Sequence, residues 1–324
     1  MERPPEAEPE RGARCTTPLP RVLVSVLAYN SPETTIETLR SLRRQTYTNS
    51  HLLLIDNASN DDSLERVARE FLDLDIRRMP ENCGYTGGVN FALELLSTEG
   101  YDCLLVATHD VEVEPRALEY LLETAAAHPD AGVVGGVELD PRTGRERASA
   151  GGVYSKWFSR LAWESAPPAE GTGPREVFCV HGALMLLTGR VVSAGVRMDE
   201  NLFMYFDEVD LSFQLREKGL RAIVDRRVVF RHNRAPETFG PLVGRLMQRN
   251  RLYVARKHGR WFQALFYALY STLFELPAKV FVRSLQGRAR FALACVAGQL
   301  EGLRGARFTA SRPRPSSPPR SQTL

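Results

Sequence analysis

With 324 residues, 43% of them hydrophobic and 25% charged, the chain is long enough for one sizeable core and is neither disordered nor fibrous. Five cysteines, at 15, 83, 103, 179 and 295, form no CxxC pair; this odd, scattered set points to neither a disulfide framework nor a zinc site and fits a reducing, cytosolic compartment. The net charge of +3 conceals a division: from Arg245 onward 15 Lys/Arg stand against 2 acids, and before it 27 stand against 37, so an acidic body carries a basic end suited to an anionic partner.

The first 20 residues, opening MERPPEAEPERGARC, are charged and Pro-rich, lack the apolar core of a signal peptide and read as a disordered leader. RVLVSVLAYN (21–30) is a Val/Leu-rich run ending in a polar turn, as expected of a buried parallel strand. SPETTIETLRSLRRQTY follows as a helix, with Ser31 as N-cap, Pro32 at the first helical position, and Ile36, Leu39 and Leu42 at helical spacing. HLLLIDNASND (51–61) is a second strand running into an Asp/Asn/Ser turn; a helix over about 63–71 and a short strand over 75–78 come next. ENCGYTGGVNFALELL is a Gly-rich loop opening a helix, DCLLVATHDVEVEP (102–115) a fourth strand ending in acids, ALEYLLETAAAHP a helix, and 132–137 a further apolar run.

Strands alternating with helices predict an α/β domain with a mainly parallel sheet, whose ligands bind at the carboxyl ends of the strands. The polar turns at Asn30, 56–60 and 109–112 all fall at that edge. Residues 138–180 are less regular, with 165–174 an exposed loop; apolar runs resume over 181–232 and contain FMYFDEVDL (203–211), three acids within four residues behind three aromatics and a Met.

Asp110 and Glu112 stand two apart at a strand end, so an extended backbone puts both carboxylates on one face, where they suit Mg2+ or Mn2+; a solvated strand end is the alternative. Gly84, Gly87 and Gly88 allow close backbone approach to an anion at a helix N-terminus, or simply a tight loop-to-helix turn. Asp56 can accept from the imide N–H of a uracil or thymine ring, or cap the next turn.

AYN (28–30), IDNASND (55–61), NCGYTGGVNFAL (82–93), HDVEVEP (109–115), HGALMLL (181–187), MDENLFMYFDEVDLSFQLREKG (198–219) and RHN (231–233) occur in the order found in inverting family 2 glycosyltransferases, and about residues 21–260 resemble the bacterial rhamnosyltransferase-like members. The resemblance implies a GT-A fold, with a donor-binding half over about 21–137 and an acceptor half over about 138–260. It implies nucleoside binding by Asn30, Asp56 and Asn57, donor contacts by Asn82, Gly84, Gly88, Asn90 and Asp110, and a donor–acceptor wall at Gly182 and Ala183. It implies metal ligation by Asp110 and Glu112, with His232 as third ligand; a histidine satisfied within the core is the alternative for His232. Two departures stand out: His109 precedes Asp110 where Asn-Pro or Asp-Asn is usual, and the usual Glu-Asp pair is Asp207-Glu208, so Glu208 holds the general-base position.

Inverting transfer needs one base to take the acceptor's proton while a cation stabilises the departing diphosphate. FMYF supplies an apolar flank and Asp207 and Asp210 supply like charge, both of which raise a carboxyl pKa. The catalytic set is therefore Glu208 with Asp207 and Asp210; the structural alternative has Asp207 capping a helix and Asp210 pairing Arg216 or Lys218.

WFQALFYALYSTLFELPAKVFV (261–282) is apolar but interrupted by Glu275, Pro277 and Lys279, and its clean run of about 14 residues is short for a span of roughly 20. With flanking Arg/Lys and FALACVAGQL behind it, the region 261–306 reads as helices lying in the interface of an anionic membrane, or else packing on the domain or on a dimer partner; nucleic acid fits less well. Residues 307–324 read as a disordered basic tail. The expectation is a metal-dependent hexosyltransferase, peripheral to the inner face of the cell membrane. It would move a sugar, rhamnose by resemblance, from a dTDP- or UDP-sugar to a saccharide or polyprenyl-linked glycan in cell-surface polysaccharide synthesis. The rivals are a sugar nucleotidyltransferase, which would want Arg and Lys just after the first strand where AYNSPETT has neither, and a non-catalytic membrane scaffold.

Overall fold

The computed structural model describes residues 19–140, 143–147, 151–164, 173–233 and 240–305. Nearly all of the expected leader, most of the 165–174 loop and the basic tail lie outside the described residues.

β1 (Val22–Ala28) is buried at every residue because helices cover both faces of the sheet. Its alternation sorts them. Val22, Val24 and Val26 pack with Leu39 and Leu42 of α1 (Pro32–Arg43) and with Leu118 and Leu121 of α4 (Ala117–Ala127). Leu23 and Leu27 pack with Val89 and Leu93 of α3 (Gly84–Thr98) and with Leu211 and Leu215 of α6 (Asp207–Glu217).

β1 pairs in parallel with β2 (Ser50–Asp56) and with β4 (Cys103–Thr108), and β3 (Asp75–Arg78) extends the sheet beyond β2. On the other side β11 (Leu184–Thr188) runs antiparallel between β4 and β6 (Ala131–Leu139), and β12 (Arg221–His232) lies parallel to β6. One ten-stranded sheet thus runs through both expected halves in the order β10-β12-β6-β11-β4-β1-β2-β3, where β10 is Pro174–Val177; β7 (Glu146–Arg147) adds to β6. α2 (Ser63–Glu70) and α5 (Gly189–Ser193) complete the covering layers, and β8 (Gly151–Ser155) with β9 (Arg160–Glu164) makes a separate hairpin.

The expected fourth strand is two. β4 ends at Thr108, the chain turns at His109 and Asp110, and β5 (Val111–Val113) pairs with β12 instead. The break lets the chain leave its neighbours in mid-sheet and reach a different strand, which alternation alone does not reveal.

After α7 (Pro241–His258), three segments form one continuous 25-residue helix: α8 (Trp261–Tyr270), a π-turn (Ser271–Glu275) and α9 (Leu276–Leu285). Pro277 has no N–H to give to the carbonyl four residues back, and the wider π-turn absorbs the defect. The clean apolar run looked short, yet this helix is long and apolar enough to cross a membrane by length and composition. Its residues are arranged in reverse of an ordinary surface helix. The polar side faces inward: Ser271 and Thr272 accept from Gln299 of α10 (Ala289–Arg304) at 2.9 and 2.6 Å, Glu275 pairs with Arg251, and Lys279 donates to Gln248 at 2.8 Å. The outward side carries Trp261, Leu265, Leu269, Leu273, Phe274 and Phe281, each more than half exposed.

Candidate active site

Phe203, Tyr205 and Phe206 all have φ near +65° to +69°, a left-handed conformation that costs a non-glycine residue roughly 1–3 kcal/mol. Such a loop persists only if its surroundings fix it. Asn250 Nδ2 donates to the carbonyls of Leu202, Met204 and Tyr205 at 3.0, 2.8 and 2.8 Å, and the Arg249 guanidinium donates to those of Asn201 and Leu202 at 2.9 Å each. From the other side Thr86 N–H donates to the Phe203 carbonyl at 3.1 Å. Sequence reasoning missed this clamp. The available signal was Gln248-Arg249-Asn250-Arg251: four consecutive polar residues sweep a full helical turn, so they cannot all face solvent, and here all four are buried.

The strained loop delivers Asp207 and Glu208 into the first turn of α6, where the helix dipole favours acids; Phe206, not Asp207, holds the N-cap position. Asp207 is buried and Glu208 half-buried. A Cβ added to Gly182 would lie 3.4 Å from Tyr85 Oη and 3.9 Å from Asp207 Oδ2, and Tyr85 donates to the Gly182 carbonyl at 2.5 Å. Gly182 therefore lies close against Tyr85 and Asp207, and the following Ala183 is buried and tied through its carbonyl to Thr108 N–H at 3.0 Å.

Burial, then the neighbouring Glu208 charge, pushes the Asp207 carboxyl well up, and burial raises Glu208. Asp207 thus binds a proton more readily in the folded chain than in the unfolded one. Its contribution to stability is fully present at pH below its ordinary value and is lost as pH rises through the raised one. Asp207→Asn, a neutral isostere, is expected to melt no lower than wild type at pH 8 and to show a flatter dependence of melting temperature on pH; a clear drop at pH 8 would mean that the charged form is stabilised.

Asp210 is not part of this pair. It is 1% exposed and receives Lys257 Nζ, His258 Nε2 and Gln214 Nε2, each at 2.7 Å. A carboxylate so surrounded anchors α6 to α7. Arg216, which with Lys218 was the partner in the structural alternative, instead stacks on Phe178 and donates to the Val177 carbonyl.

At the other strand ends, Asn57 and Asn82 build the Gly-rich loop. Asn57 Nδ2 donates to Asn82 Oδ1 and the Gly84 carbonyl at 3.1 and 3.0 Å, its Oδ1 accepts Cys83 N–H at 3.0 Å, and Asn82 Oδ1 accepts Gly84 N–H at 2.9 Å. Gly84, at φ +68°, presses on Phe203, whose carbonyl a Cβ would meet at 2.3 Å. Two residues expected on the donor turn elsewhere. Asn90 exchanges hydrogen bonds with the Met198 backbone and donates to Glu200, which consumes its amide. Gly88 lets α3 approach β1, since its Cβ would sit 2.3 Å from Leu27. Asn30, also in a left-handed conformation, accepts Asn60 N–H at 3.1 Å and shapes the first turn. Asp56 Oδ1 accepts Ser59 N–H, while Oδ2 is buried with no hydrogen-bond partner among the described residues, 3.4 Å from Arg78. Oδ2 is thus ion-paired with Arg78 and has a lone pair that no hydrogen bond uses.

The expected DxE pairing is overturned by the turn at His109–Asp110. Glu112 faces Arg231, its cross-strand partner, at 3.7 Å, whereas Asp110 meets His232, the next residue of β12, whose side chain points to the opposite face. Asp110 Oδ1 also accepts the Thr108 hydroxyl at 2.7 Å. Burial works to raise the Asp110 carboxyl, but the His232 hydrogen bond and charge, His109 and Thr108 outweigh it and hold it well below the carboxylate range. Asp110 Oδ1 and His232 Nε2 are hydrogen-bonded here at 3.1 Å; with that proton given up, the pair has the spacing of neighbouring ligands in an octahedral shell, roughly 3 Å at a ligand distance of about 2.1 Å. Glu138 and His181 stand beside His232, the three offering ligand atoms within 4.8 Å of one another.

Residues 24–184 match the model of glycosyl transferase family 2. Over 276 residues, 78% of this chain and 90% of that protein, the sequence is 26% identical to an N-acetylglucosaminyl-diphospho-decaprenol L-rhamnosyltransferase of Mycobacterium tuberculosis. Among solved structures the fold resembles GalNAc-T7 with UDP, GalNAc and Mn2+ at a TM-score of 0.63 and 15% identity, covering 78% of this chain and 50% of that one. It also resembles the mannosyltransferase PcManGT of Pyrobaculum calidifontis in complex with GDP-Man and Mn2+, at a TM-score of 0.56 and 16% identity, covering 88% and 87%. The chain spans half the length of the GalNAc-T7 chain, and at these identities the two structures speak for the GT-A fold alone. With the family match over residues 24–184 and a rhamnosyltransferase relative aligned along most of both lengths, the protein carries a family 2 glycosyltransferase domain.

Proposed function

We propose that the protein is a metal-dependent inverting transferase that moves a sugar, rhamnose by likeness to its relative, from a dTDP- or UDP-activated donor to a polyprenyl-linked glycan at a membrane surface. The observation that carries this reading is the Asp207–Glu208 pair, set against the Gly182 wall and fixed by a strained, clamped loop. Burial raises both carboxyls, which suits the pair to taking up one proton, and Glu208, at the family's base position and the less buried of the two, is the one proposed to take it from the acceptor hydroxyl. Asp56, beside the turns shaped by Asn30 and Asn57, would take the pyrimidine imide, and the Gly-rich loop over Asn82 and Gly84 would receive the donor. Asp110 and His232 would hold Mg2+ or Mn2+, which when bound neutralises the departing diphosphate. The inverted helix over 261–285 supports attachment to a membrane, where a lipid-linked acceptor presents its sugar.

The purified protein, incubated with a panel of nucleotide sugars and Mn2+ or Mg2+, is expected to release nucleoside diphosphate from a dTDP- or UDP-sugar when a lipid-linked glycan is supplied, and not in EDTA. Release undiminished by EDTA removes the metal from the reaction, and no release from any donor with such an acceptor removes this reading.

A further inference from the structure

We propose that the turn of the β8–β9 hairpin and the start of α8 form one interfacial anchor, in which two basic-Trp-Phe triplets, Lys156-Trp157-Phe158 and Arg260-Trp261-Phe262, enter the headgroup layer of an anionic bilayer. The proposal extends the membrane attachment proposed above from the C-terminal helix to the sheet-bearing body of the chain, and it rests on that attachment.

The triplets lie far apart in sequence, and the fold sets them side by side. The Trp157 ring centroid is 5.8 Å from that of Phe262 and 5.4 Å from that of Phe266, and Phe158 stands 5.8 Å from Phe266 and 5.2 Å from Tyr270. Even so packed, Trp157, Phe158 and Trp261 remain 46%, 42% and 78% exposed. A hairpin turn ordinarily carries small polar residues, so two large rings at its tip need a partner outside the chain. Lys156 and Arg160 bracket the tip and Arg260 precedes Trp261, all three exposed. Rings with a basic fringe match the bilayer interface, where Trp sits at headgroup level and Lys/Arg meet anionic lipid. The ledge also runs on into the outward face of the 261–285 helix, which is long and apolar enough to cross a membrane. A second copy suits it less well, because a two-fold contact would set the basic fringe against itself.

The anchor is fixed at both ends. Buried Arg251 donates to the carbonyls of Phe158 and Ser159 at 2.8 Å each and pairs with Glu275 of the π-turn, so hairpin tip and helix hold one geometry. Ser159, left-handed at φ +41°, returns its hydroxyl to the Arg251 carbonyl at 2.7 Å. At the far end Gly152 N–H donates to the Cys179 carbonyl at 3.0 Å, and the Trp163 ring stands 5.0 Å from that of His181, next to Gly182 and so to Asp207. Three residues of β9 separate Arg160 from Trp163, about 10 Å of strand. A lipid-seated tip therefore holds the candidate acids a short, fixed distance from the surface on which a lipid-linked acceptor lies.

The test uses the full-length protein and vesicles of mixed phosphatidylcholine and phosphatidylglycerol. Trp163→Phe with Trp261→Phe leaves Trp157 as the single tryptophan, and lipid brominated near the headgroup end of its acyl chains is expected to quench it on binding. Trp157 left unquenched in vesicle-bound protein would overturn the anchor. Trp157→Lys with Phe158→Lys is expected to weaken vesicle partitioning at least tenfold although it adds two positive charges; wild-type partitioning would overturn it. The conservative single-tryptophan protein keeps the proposal testable if this double variant fails to fold. Trp157 shielded in a dimer and untouched by brominated lipid would give the ledge to a second copy and overturn the proposal. Neither readout needs a sugar donor. Vesicle binding through Trp157 without turnover of any nucleotide sugar sinks the transfer reading alone, and turnover with Trp157 unquenched sinks the anchor alone.

Discussion

Glu208→Gln should fold, bind donor and Mn2+ within a fewfold of wild type, and lose transfer by about 10²- to 10⁴-fold, the usual contribution of a positioned base. The substitution keeps shape and removes only the ability to take a proton. The same raised Glu208 carboxyl means that, as pH falls, transfer in the wild type fails earlier than it would with an ordinary glutamate, since protonation removes the base. Glu208→Asp separates reach from charge: a partial rate would show that the longer side chain found here sets the distance to the acceptor hydroxyl. Near-normal turnover in Glu208→Gln would remove Glu208 from the base role, whatever happens to donor binding.

The parts of this molecule that follow from local pattern were legible in its sequence. β1 reads as buried on both faces because its seven residues are apolar at both parities apart from Ser25, and β3 and the α3 helix start where composition changes. FMYFDEVDL reads as an acidic, apolar-flanked segment because its composition is unusual in itself. What failed depended on where the chain turns. Asp110 and Glu112 share a face only if the strand is continuous, and the two-residue turn before Val111 reverses that inference without leaving a mark such as Gly or Pro. Asn90 and Gly88 lie in a motif whose first residues shape the Gly-rich loop, but one turn into α3 the same motif packs on Met198 and Leu27. Glu138 and His181 were invisible for a third reason: each stands alone in its own segment, and only the sheet order β12-β6-β11 brings them beside His232. The loop clamp by Arg249 and Asn250 is similarly non-local, joining residues 45 or more positions apart.

Replacing Leu265, Leu269 and Leu273 with Lys should abolish binding of the full-length protein to anionic phosphatidylglycerol vesicles while leaving its fold intact. These side chains are 51%, 54% and 62% exposed and lie on the outward face of the 261–285 helix, so the folded protein loses little by their replacement. Leu and Lys also have similar helix propensities. Lipid, by contrast, loses three large apolar groups, each worth about 1.5–3 kcal/mol when fully buried; even a third of that total is a factor of roughly 10–100 in partitioning. Charge cannot explain a loss, because three added lysines raise the electrostatic attraction to anionic lipid. The structure also shows why deleting the whole region would be a poorer test. α10 contacts α7 through Gln248–Gln299 and Arg245–Glu301, and α7 holds the active-site loop, so a deletion would disturb catalysis and attachment together. If the triple variant still sediments with vesicles, the outward face is not the lipid contact. A change from dimer to monomer in the same variant, with vesicle binding unaltered, would assign that face to a second copy of the chain. Retained solubility and lost vesicle binding would instead explain why this helix keeps Glu275, Lys279 and Ser271 inside and its leucines outside: its inner face is solvated by protein and its outer face by lipid.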